Sequence, residues 1–126
     1  MLRRLDNVGI AVRDVKRIVD FYVTKLGFQG EAGASDASLG LADVSLYVFR
    51  TESTEAAGAR RTIDLYRNPA GVDHLAFQVD DIEAASRELQ ARGIVFPGPI
   101  VGAPGEFRYR GFADPEGNML YVIRRP

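Results

Sequence analysis

The feature that most constrains this 126-residue chain is an internal repeat. The segment LDNVGIAVRDV, residues 5–15, aligns without gaps with VDHLAFQVDDI, residues 72–82. Aspartate, valine and aspartate recur at matching places, and apolar residues match elsewhere. Self-similarity of this kind indicates a duplicated structural module.

A second pair of matching blocks follows in the same order in each copy. The first copy has GLAD and then LYVF within residues 40–49, and the second has GFAD and then LYVI within residues 111–123. This alignment pairs Gly40 with Gly111 and Tyr47 with Tyr121, and it gives the second copy the longer insert. We therefore expect one domain over residues 1–126.

Each copy has the pattern of one strand, one helix and three further short strands. Module 1 covers about residues 1–50, a polar linker covers about 51–71, and module 2 covers about 72–126. The opening strands are predicted at residues 7–12 and 75–79, where apolar and β-branched residues are frequent. The sequence therefore predicts an α+β fold of two βαβββ modules.

The ends of the two helices carry recognisable signals. Asp14 is predicted to cap the first helix, and Asp80 with Glu83 is predicted to form a capping box at the second. Gly27 and Gly93 are predicted to end the helices, because glycine readily adopts the left-handed conformation. Near the C-terminus, DPEG at residues 114–117 predicts a type I turn.

Composition narrows the classes of partner. The chain is 46% hydrophobic and 26% charged with a net charge of −1, so no bulk positive field favours nucleic acid or an anionic membrane. It has no cysteine, which excludes disulfides, cysteine–zinc sites, iron–sulfur clusters and thiolate catalysis. No segment reads as a secretory signal or as the roughly 20 apolar residues of a membrane span. We expect a cytoplasmic protein.

With LDNVGIAVRD and GVDHLAFQVDD opening the copies and FADPEGNMLYVI closing the chain, the sequence resembles the vicinal-oxygen-chelate superfamily. That group includes glyoxalase I, extradiol dioxygenases and bleomycin-binding resistance proteins. The resemblance covers nearly the whole chain and implies a curved mixed-sheet cup, the glyoxalase/bleomycin-resistance fold. It also implies a homodimer, with modules pairing either within or across chains. The fold alone does not specify a reaction.

In metal-dependent relatives, each module supplies ligands from its first and last strands. The corresponding positions here are Asn7, Tyr47, His74 and Tyr121, and His74 is the one good ligand among them. The set has no carboxylate, and phenols with a reference pKa of about 10 are neutral near pH 7. We expect no metal and no other cofactor. The alternative is a divalent metal, or ferric iron bound by two tyrosinates and His74.

The resemblance and the alternation of strand side chains place a set of residues inside the cup. These residues are Asn7, Gly9, Ala11, Ser45, Tyr47, Phe49, His74, Ala76, Gln78, Met119, Tyr121 and Ile123. Aromatic walls with few polar anchors are typical of small-molecule pockets. For residues 107–110, either the two arginines or Phe107 and Tyr109 face the ligand, and the sequence leaves this choice open.

The leading hypothesis is a metal-free protein that binds a small aromatic or conjugated molecule. Asn7, Gln78, Phe49 and Arg108 are the predicted ligand-binding residues. The alternative is a lyase, isomerase or dioxygenase-like enzyme acting on a small ketone or aromatic substrate.

In that enzyme His74 is the catalytic base or the sole surviving metal ligand, with Tyr47 or Tyr121 as acid or oxyanion donor. A purely structural role for His74 is also open.

Overall fold

The computed structural model describes residues 1–55 and 61–126. It divides into two compact units, Met1–Glu55 and Ala56–Pro126, and the boundary falls within the range predicted as a linker. Residues 56–60 of that linker lie outside the described residues. In chain order the elements are β1 (Val8–Val12), α1 (Val15–Thr24), β2 (Asp36–Leu41), β3 (Val44–Arg50), a 3₁₀ turn (Leu65–Arg67), β4 (His74–Gln78), α2 (Ile82–Ala91), β5 (Arg108–Ala113) and β6 (Met119–Arg124).

Both units have the same mixed three-stranded sheet. In unit 1 the order is β1-β3-β2, with β1 parallel and β2 antiparallel to β3. In unit 2 the order is β4-β6-β5, with β4 parallel and β5 antiparallel to β6. The predicted α+β fold of two repeated modules is therefore confirmed.

The first of the three strands predicted after each helix is reduced to a single bridge. Gln29 pairs with Gly40 in unit 1, and Val101 pairs with Tyr109 in unit 2. The residue after each bridge is a glycine with positive φ, +144° at Gly30 and +101° at residue 102. Such a conformation turns the chain out of the extended state, so pairing stops after one residue.

The strand register confirms that Tyr47 and Tyr121 are equivalent. Tyr47 lies opposite Gly9 on the opening strand of unit 1, and Tyr121 lies opposite Ala76 on the opening strand of unit 2. The ungapped sequence alignment pairs Gly9 with Ala76. Both comparisons therefore lead to the same pair of tyrosines.

The predicted pairing of Gly40 with Gly111 is wrong by two positions. Gly111 lies opposite Tyr121, whereas the residue opposite Tyr47 is Ser38. The structural counterpart of Gly111 is therefore Ser38, and the similarity of the GLAD and GFAD blocks misaligned the two hairpins. As a result, the second copy's hairpin insert is smaller than the sequence blocks indicated.

The hairpin of unit 2 closes through the predicted turn. The Gly117 N–H donates to the Asp114 carbonyl at 3.0 Å, and Gly117 has a φ of +87°. The Asp114 carboxylate accepts from the backbone N–H groups of Glu116 and Asn118 and from the Asn118 amide. The predicted turn is therefore confirmed. The three hydrogen bonds to one carboxylate explain why the first residue of the turn is aspartate.

The two helices begin at equivalent aspartates. Asp14 caps α1 as predicted, by accepting from the Arg17 N–H at 3.0 Å. The cap of α2 is Asp81, which accepts from the Ala84 N–H at 2.9 Å, so the capping box predicted at Asp80 is wrong. The repeat aligns Asp81 with Asp14, and this alignment indicates the correct cap.

Replacing Asp81 with alanine is expected to lower the free energy of unfolding by about 1 kcal/mol, because a terminal N–H of α2 loses its acceptor. Asp80→Ala is the matched control, since Asp80 accepts from Arg124 through its backbone carbonyl. That control should change stability by less than about 0.5 kcal/mol. Urea denaturation of both variants measures the difference, and equal effects would contradict the assignment of the cap.

One side of each sheet is buried beside its helix and forms the core. The largest fully buried side chains are Tyr22, Tyr121, Phe112, Ile18, Leu39, Leu46, Ile82, Leu120, Val12 and Val48. Each such aliphatic or aromatic group contributes roughly 2–3 kcal/mol through removal from water. Neither α-helix in the described ranges has the length and hydropathy to cross a membrane.

The other side of each sheet is called here the helix-free face. In unit 1 it carries Gly9, Ala11, Ser38, Ser45, Tyr47 and Phe49. In unit 2 it carries His74, Ala76, Gln78, Tyr109, Gly111 and Tyr121. Most residues predicted to contact a ligand lie on one of these two faces.

Candidate functional site

The helix-free face of unit 1 presents an accessible aromatic surface. The rings of Tyr47 and Phe49 are stacked, with centroids 5.6 Å apart and an interplanar angle of 23°. Tyr47 is 38% exposed and Phe49 is half-buried. The predicted pair of residues is therefore brought together, with ring surface available to a planar molecule.

Two polar groups of unit 1 hold fixed directions because each donates to a carboxylate. The Tyr47 hydroxyl donates to Asp36 Oδ2 at 2.8 Å, and the Asn7 amide donates to Asp6 Oδ2 at 2.9 Å. The hydrogen bond to Asp36 raises the pKa of Tyr47, with a smaller contribution from burial. The Tyr47 phenol therefore stays protonated at neutral pH.

Unit 2 carries an aromatic cluster at the equivalent place. The His74 ring packs edge-on against Tyr121 with centroids 4.5 Å apart, and Tyr121 packs against Tyr109 at 5.8 Å. The His74 side chain remains 31% exposed, whereas Tyr121 is only 2% exposed. His74 is thus the more accessible of the two predicted catalytic residues in this unit.

The imidazole of His74 is oriented by the residue that precedes it. Nδ1 of His74 lies 2.7 Å from Asp73 Oδ2. An ionised carboxylate only accepts hydrogen bonds, so Nδ1 carries the hydrogen and Nε2 of the neutral ring is an acceptor. Asp73 also accepts from the Asn68 amide at 2.8 Å and forms an ion pair with Arg61 at 3.6 Å.

These partners lower the pKa of Asp73 below its ordinary 3.8, with the hydrogen bond from His74 as the largest cause. Ionised Asp73 therefore stabilises the folded state fully when the pH is above its ordinary pKa. This stabilisation is lost as the pH falls through the lower pKa of the folded state. Thermal midpoints between pH 5 and pH 2 should fall more steeply for the wild type than for Asp73→Asn. Parallel pH curves for the wild type and Asp73→Asn would contradict this expectation. Asp43→Asn, which changes an exposed aspartate, is the control and should follow the wild-type curve.

Residues 61–73, called the strap, pack onto the helix-free face of unit 2. The Ile63 side chain fills space next to Gly98 and Gly111, since an added Cβ would lie 2.7 Å and 2.9 Å from its methyl groups. The Tyr121 hydroxyl donates a long hydrogen bond of 3.4 Å to the Ile63 carbonyl. The strap thus buries Tyr121, and this burial raises the pKa of the Tyr121 phenol.

Arg108 lies on the other side of the sheet from the remaining candidates. It pairs with Arg124 in the strand register, and its guanidinium contacts Glu83 at 2.5 Å and the Gly102 carbonyl at 3.2 Å. Tyr109, by contrast, shares the helix-free face with Tyr121. The register therefore places Tyr109 on the helix-free face and the two arginines on the opposite side of the sheet.

Arg110 also has partners of its own on the helix side. Its Nε donates to the Gly98 carbonyl at 3.0 Å, and its guanidinium lies 4.2 Å from the Phe96 ring centroid. A groove of about 250 Å³ on that side is lined by residues 80–83, 104–106, 108 and 124. Arg108 is the one predicted site residue among those that line this groove.

The predicted site residues fall into three groups. Tyr47 and Phe49 lie together on unit 1, with Asn7 directly before β1. His74, Gln78 and Tyr121 lie on the helix-free face of unit 2, with Gln78 opposite Ile123. Arg108 lies apart from both groups.

Sequence reasoning missed Asp36, Asp73 and the strap, whereas it named Tyr109 as one of two alternatives. The sequence could have indicated Asp73, because the repeat aligns Asp73 with Asp6.

The side chains that the resemblance assigns to the metal-ligand positions do not fit a metal ion. Both phenols keep their protons, because Tyr47 donates to Asp36 and Tyr121 is buried, and both have raised pKa values. Among residues 1–55 and 61–126, no three or more His, Asp or Glu side chains form a group suited to a metal. Neither a divalent metal nor ferric iron matches this donor set.

A family model and a bacterial protein both match most of this chain. A family model described as Glyoxalase/Bleomycin resistance protein/Dioxygenase superfamily matches residues 4–122. YwkD, an uncharacterized protein of Bacillus subtilis (strain 168), is 30% identical over 125 residues, covering 92% of each chain.

Two solved structures extend the comparison to three dimensions. The crystal structure of a glyoxalase family protein from Enterococcus faecalis has a TM-score of 0.75 and 26% identity, covering 96% of this chain and 97% of that one. TnmS3, an antibiotic binding protein from Streptomyces sp. CB03234, has a TM-score of 0.72 and 26% identity, covering 99% and 98%.

Proposed function

Because the chain belongs to the Glyoxalase/Bleomycin resistance protein/Dioxygenase superfamily, we propose that it binds a small planar aromatic or conjugated molecule without using a metal ion. The observation that carries this proposal is the stack on unit 1 between the exposed ring of Tyr47 and the half-buried ring of Phe49. The resemblance assigns Tyr47 to a position where metal-dependent relatives have a ligand. Here that position offers an aromatic surface and a protonated phenol.

Two further observations support a binding role. A planar ligand gains about 0.5–1.5 kcal/mol per favourable aromatic contact in addition to the burial of its surface. Asn7 and His74 offer polar groups with fixed directions, and Gln78 is an exposed amide on the helix-free face of unit 2. TnmS3 is described as an antibiotic binding protein, so ligand binding has a precedent in a similar structure.

Fluorescence titration with a naphthalene derivative tests the proposal. Tyr47→Ala should weaken binding at least tenfold, because it removes half of the exposed stack. Tyr66→Ala is the matched control, since Tyr66 is 89% exposed and lies on the 3₁₀ turn. Equal affinity in wild type and Tyr47→Ala would contradict the proposal, as would stoichiometric metal in protein purified without chelators together with loss of binding in EDTA.

A second candidate is an enzyme of the lyase, isomerase or dioxygenase-like type acting on a small ketone or aromatic substrate. The specific observation that favours it is the 2.7 Å contact between Asp73 and His74. A carboxylate that orients an imidazole and stabilises its protonated form is a common arrangement for a general base. In that case His74→Ala should abolish turnover while binding changes less than about threefold.

The proposal includes a homodimer, which rests on the resemblance to relatives that are often dimeric. Light scattering distinguishes a dimer from the 13.8 kDa monomer. A cytoplasmic location stays a prediction, and cell fractionation tests it.

A further inference from the structure

The strap is held together by hydrogen bonds between its own residues. The amide of Asn68 donates to the Thr62 carbonyl and its oxygen accepts from the Thr62 N–H, both at 2.9 Å. The guanidinium of Arg61 donates to the carbonyls of Pro69 and Ala70, both at 3.3 Å. A surface loop whose ends are close and whose own side chains pack it together is an Ω-loop, and such loops are frequently functional. The strap is therefore a compact body with a shape of its own.

The strap contacts the rest of unit 2 through Ile63. The methyl groups of Ile63 lie against Gly98 and Gly111, and its carbonyl accepts the long hydrogen bond of 3.4 Å from Tyr121. Ile63 still keeps 37% of its surface exposed, so this contact is partial. Tyr121 is 2% exposed, whereas Tyr47 at the equivalent position of unit 1 is 38% exposed. Ile63 thus covers a surface whose counterpart in unit 1 is accessible.

A single carboxylate connects the strap to the imidazole ring of His74. Oδ1 of Asp73 accepts from the Asn68 amide at 2.8 Å, and Oδ2 of the same residue contacts Nδ1 of His74 at 2.7 Å. The carboxylate is planar and hydrogen bonds are directional, so turning it to follow Asn68 also changes the direction in which it accepts from His74. The position of the strap and the orientation of the ring therefore depend on each other.

We propose that the strap is a lid that moves as one body over the helix-free face of unit 2, and that Asp73 couples its closed position to the orientation of His74. In the closed state the lid covers Tyr121. In the open state Ile63 leaves Gly111, Tyr121 becomes accessible, and the ring of His74 is released. The structure shows the closed state, and the open state is a minor one, populated at roughly 0.1–10%. This motion lies within unit 2 and requires no ligand, so it is independent of the function proposed above.

Nitration by tetranitromethane tests whether the strap opens as one body. The chain has no cysteine, the residue that competes with tyrosine for this reagent. Asn68→Ala removes the hydrogen bond to Asp73, and it should speed nitration of Tyr121 at least tenfold, as read by peptide mass spectrometry. Arg67→Ala is the matched control on the strap, because the Arg67 side chain is 87% exposed, and it should stay within twofold of the wild type. An unchanged rate in Asn68→Ala would overturn the proposal, since Ile63 would then be a fixed plug.

The ring hydrogen at Nδ1 of His74 tests the coupling. His74 is the one histidine of the chain, so this hydrogen is assigned by ¹⁵N NMR without ambiguity. Its exchange with water and the nitration of Tyr121 both follow the population of the open state, when opening is fast relative to the reaction. In each variant the two rates should therefore rise by the same factor. Faster nitration with unchanged exchange would overturn the coupling through Asp73.

A second variant separates opening of the lid from unfolding. Asn68→Asp keeps the size of the side chain and places a second carboxylate beside Asp73, so repulsion replaces the hydrogen bond. It should also speed nitration of Tyr121 at least tenfold. Tyr22, which is fully buried in unit 1, should stay unmodified in both Asn68 variants. Equal acceleration at Tyr22 and Tyr121 would indicate global unfolding and would overturn the lid.

Discussion

Replacing Gly111 with alanine should destabilise the protein by about 2–3 kcal/mol, because the new methyl group has no space. A Cβ at this position would lie 2.8 Å from Cε1 of Tyr121 and 2.9 Å from Cγ2 of Ile63. These distances are well below ordinary van der Waals contact, so at least one neighbour must move. The change therefore tests how tightly the strap packs onto the sheet.

Neither neighbour can move freely. The Tyr121 ring is held between His74 and Tyr109, at centroid distances of 4.5 Å and 5.8 Å. Ile63 belongs to the strap, whose ends are joined by the ion pair between Arg61 and Asp73. A shift of either residue therefore disturbs other contacts, which places the expected loss near the upper end of the range for overpacking.

The same substitution at Gly40 is the matched control. Gly40 also lies on a strand, and a Cβ there would meet no atom within 4 Å. Alanine should leave stability unchanged or raise it by up to about 1 kcal/mol, since it restricts the unfolded chain. Urea denaturation and tyrosine fluorescence measure both variants. Equal losses at the two glycines would contradict the packing of Ile63 on Gly111.

This pair of glycines also shows the limit of the sequence alignment. The blocks GLAD and GFAD match letter for letter at three of four positions, yet Gly111 corresponds in space to Ser38. Strand register is determined by cross-strand hydrogen bonds and by hairpin geometry, which short blocks do not encode. The tyrosines at 47 and 121 were aligned correctly because the residues Leu-Tyr-Val are identical in the two copies.

The helices were predicted best where the signal is local. Capping by Asp14 and termination at Gly27 and Gly93 depend on residues within one turn, and the structure confirms them. The cap at Asp81 was predicted one residue early, because two adjacent aspartates satisfy the same pattern. Only the repeat distinguishes them, through its alignment of Asp81 with Asp14.

The contacts that define the candidate site were mostly beyond sequence reasoning. The strap lies in a polar segment without regular periodicity, and nothing in its sequence indicates that Ile63 packs on Gly111. The partner of Tyr47 is Asp36, on the neighbouring strand, and such cross-strand contacts follow only from the register. The two modules share a fold, but their helix-free faces differ because a strap is described on unit 2 alone.

Asp114→Ala should produce the largest loss among the variants considered, about 3 kcal/mol, because charged groups form the stronger hydrogen bonds. The Asp114 side chain is 5% exposed and accepts from the N–H groups of Glu116 and Asn118 and from the Asn118 amide. Alanine leaves these three donors without this acceptor and removes the group that shapes the turn. The thermal midpoint should fall by roughly 10 °C in a chain of this size.

Two further variants separate the hydrogen bonds of Asp114 from any general effect of changing a hairpin. Asp114→Asn keeps one oxygen for the backbone N–H groups but loses the acceptor of the Asn118 amide, so it should cost about 1 kcal/mol. Asp43→Ala changes an exposed aspartate in the hairpin of unit 1 and should have an effect below about 0.5 kcal/mol. A graded series from Asp43→Ala through Asp114→Asn to Asp114→Ala supports the turn as a structural anchor. Equal midpoints for the two alanine variants would mean that the turn forms without its carboxylate.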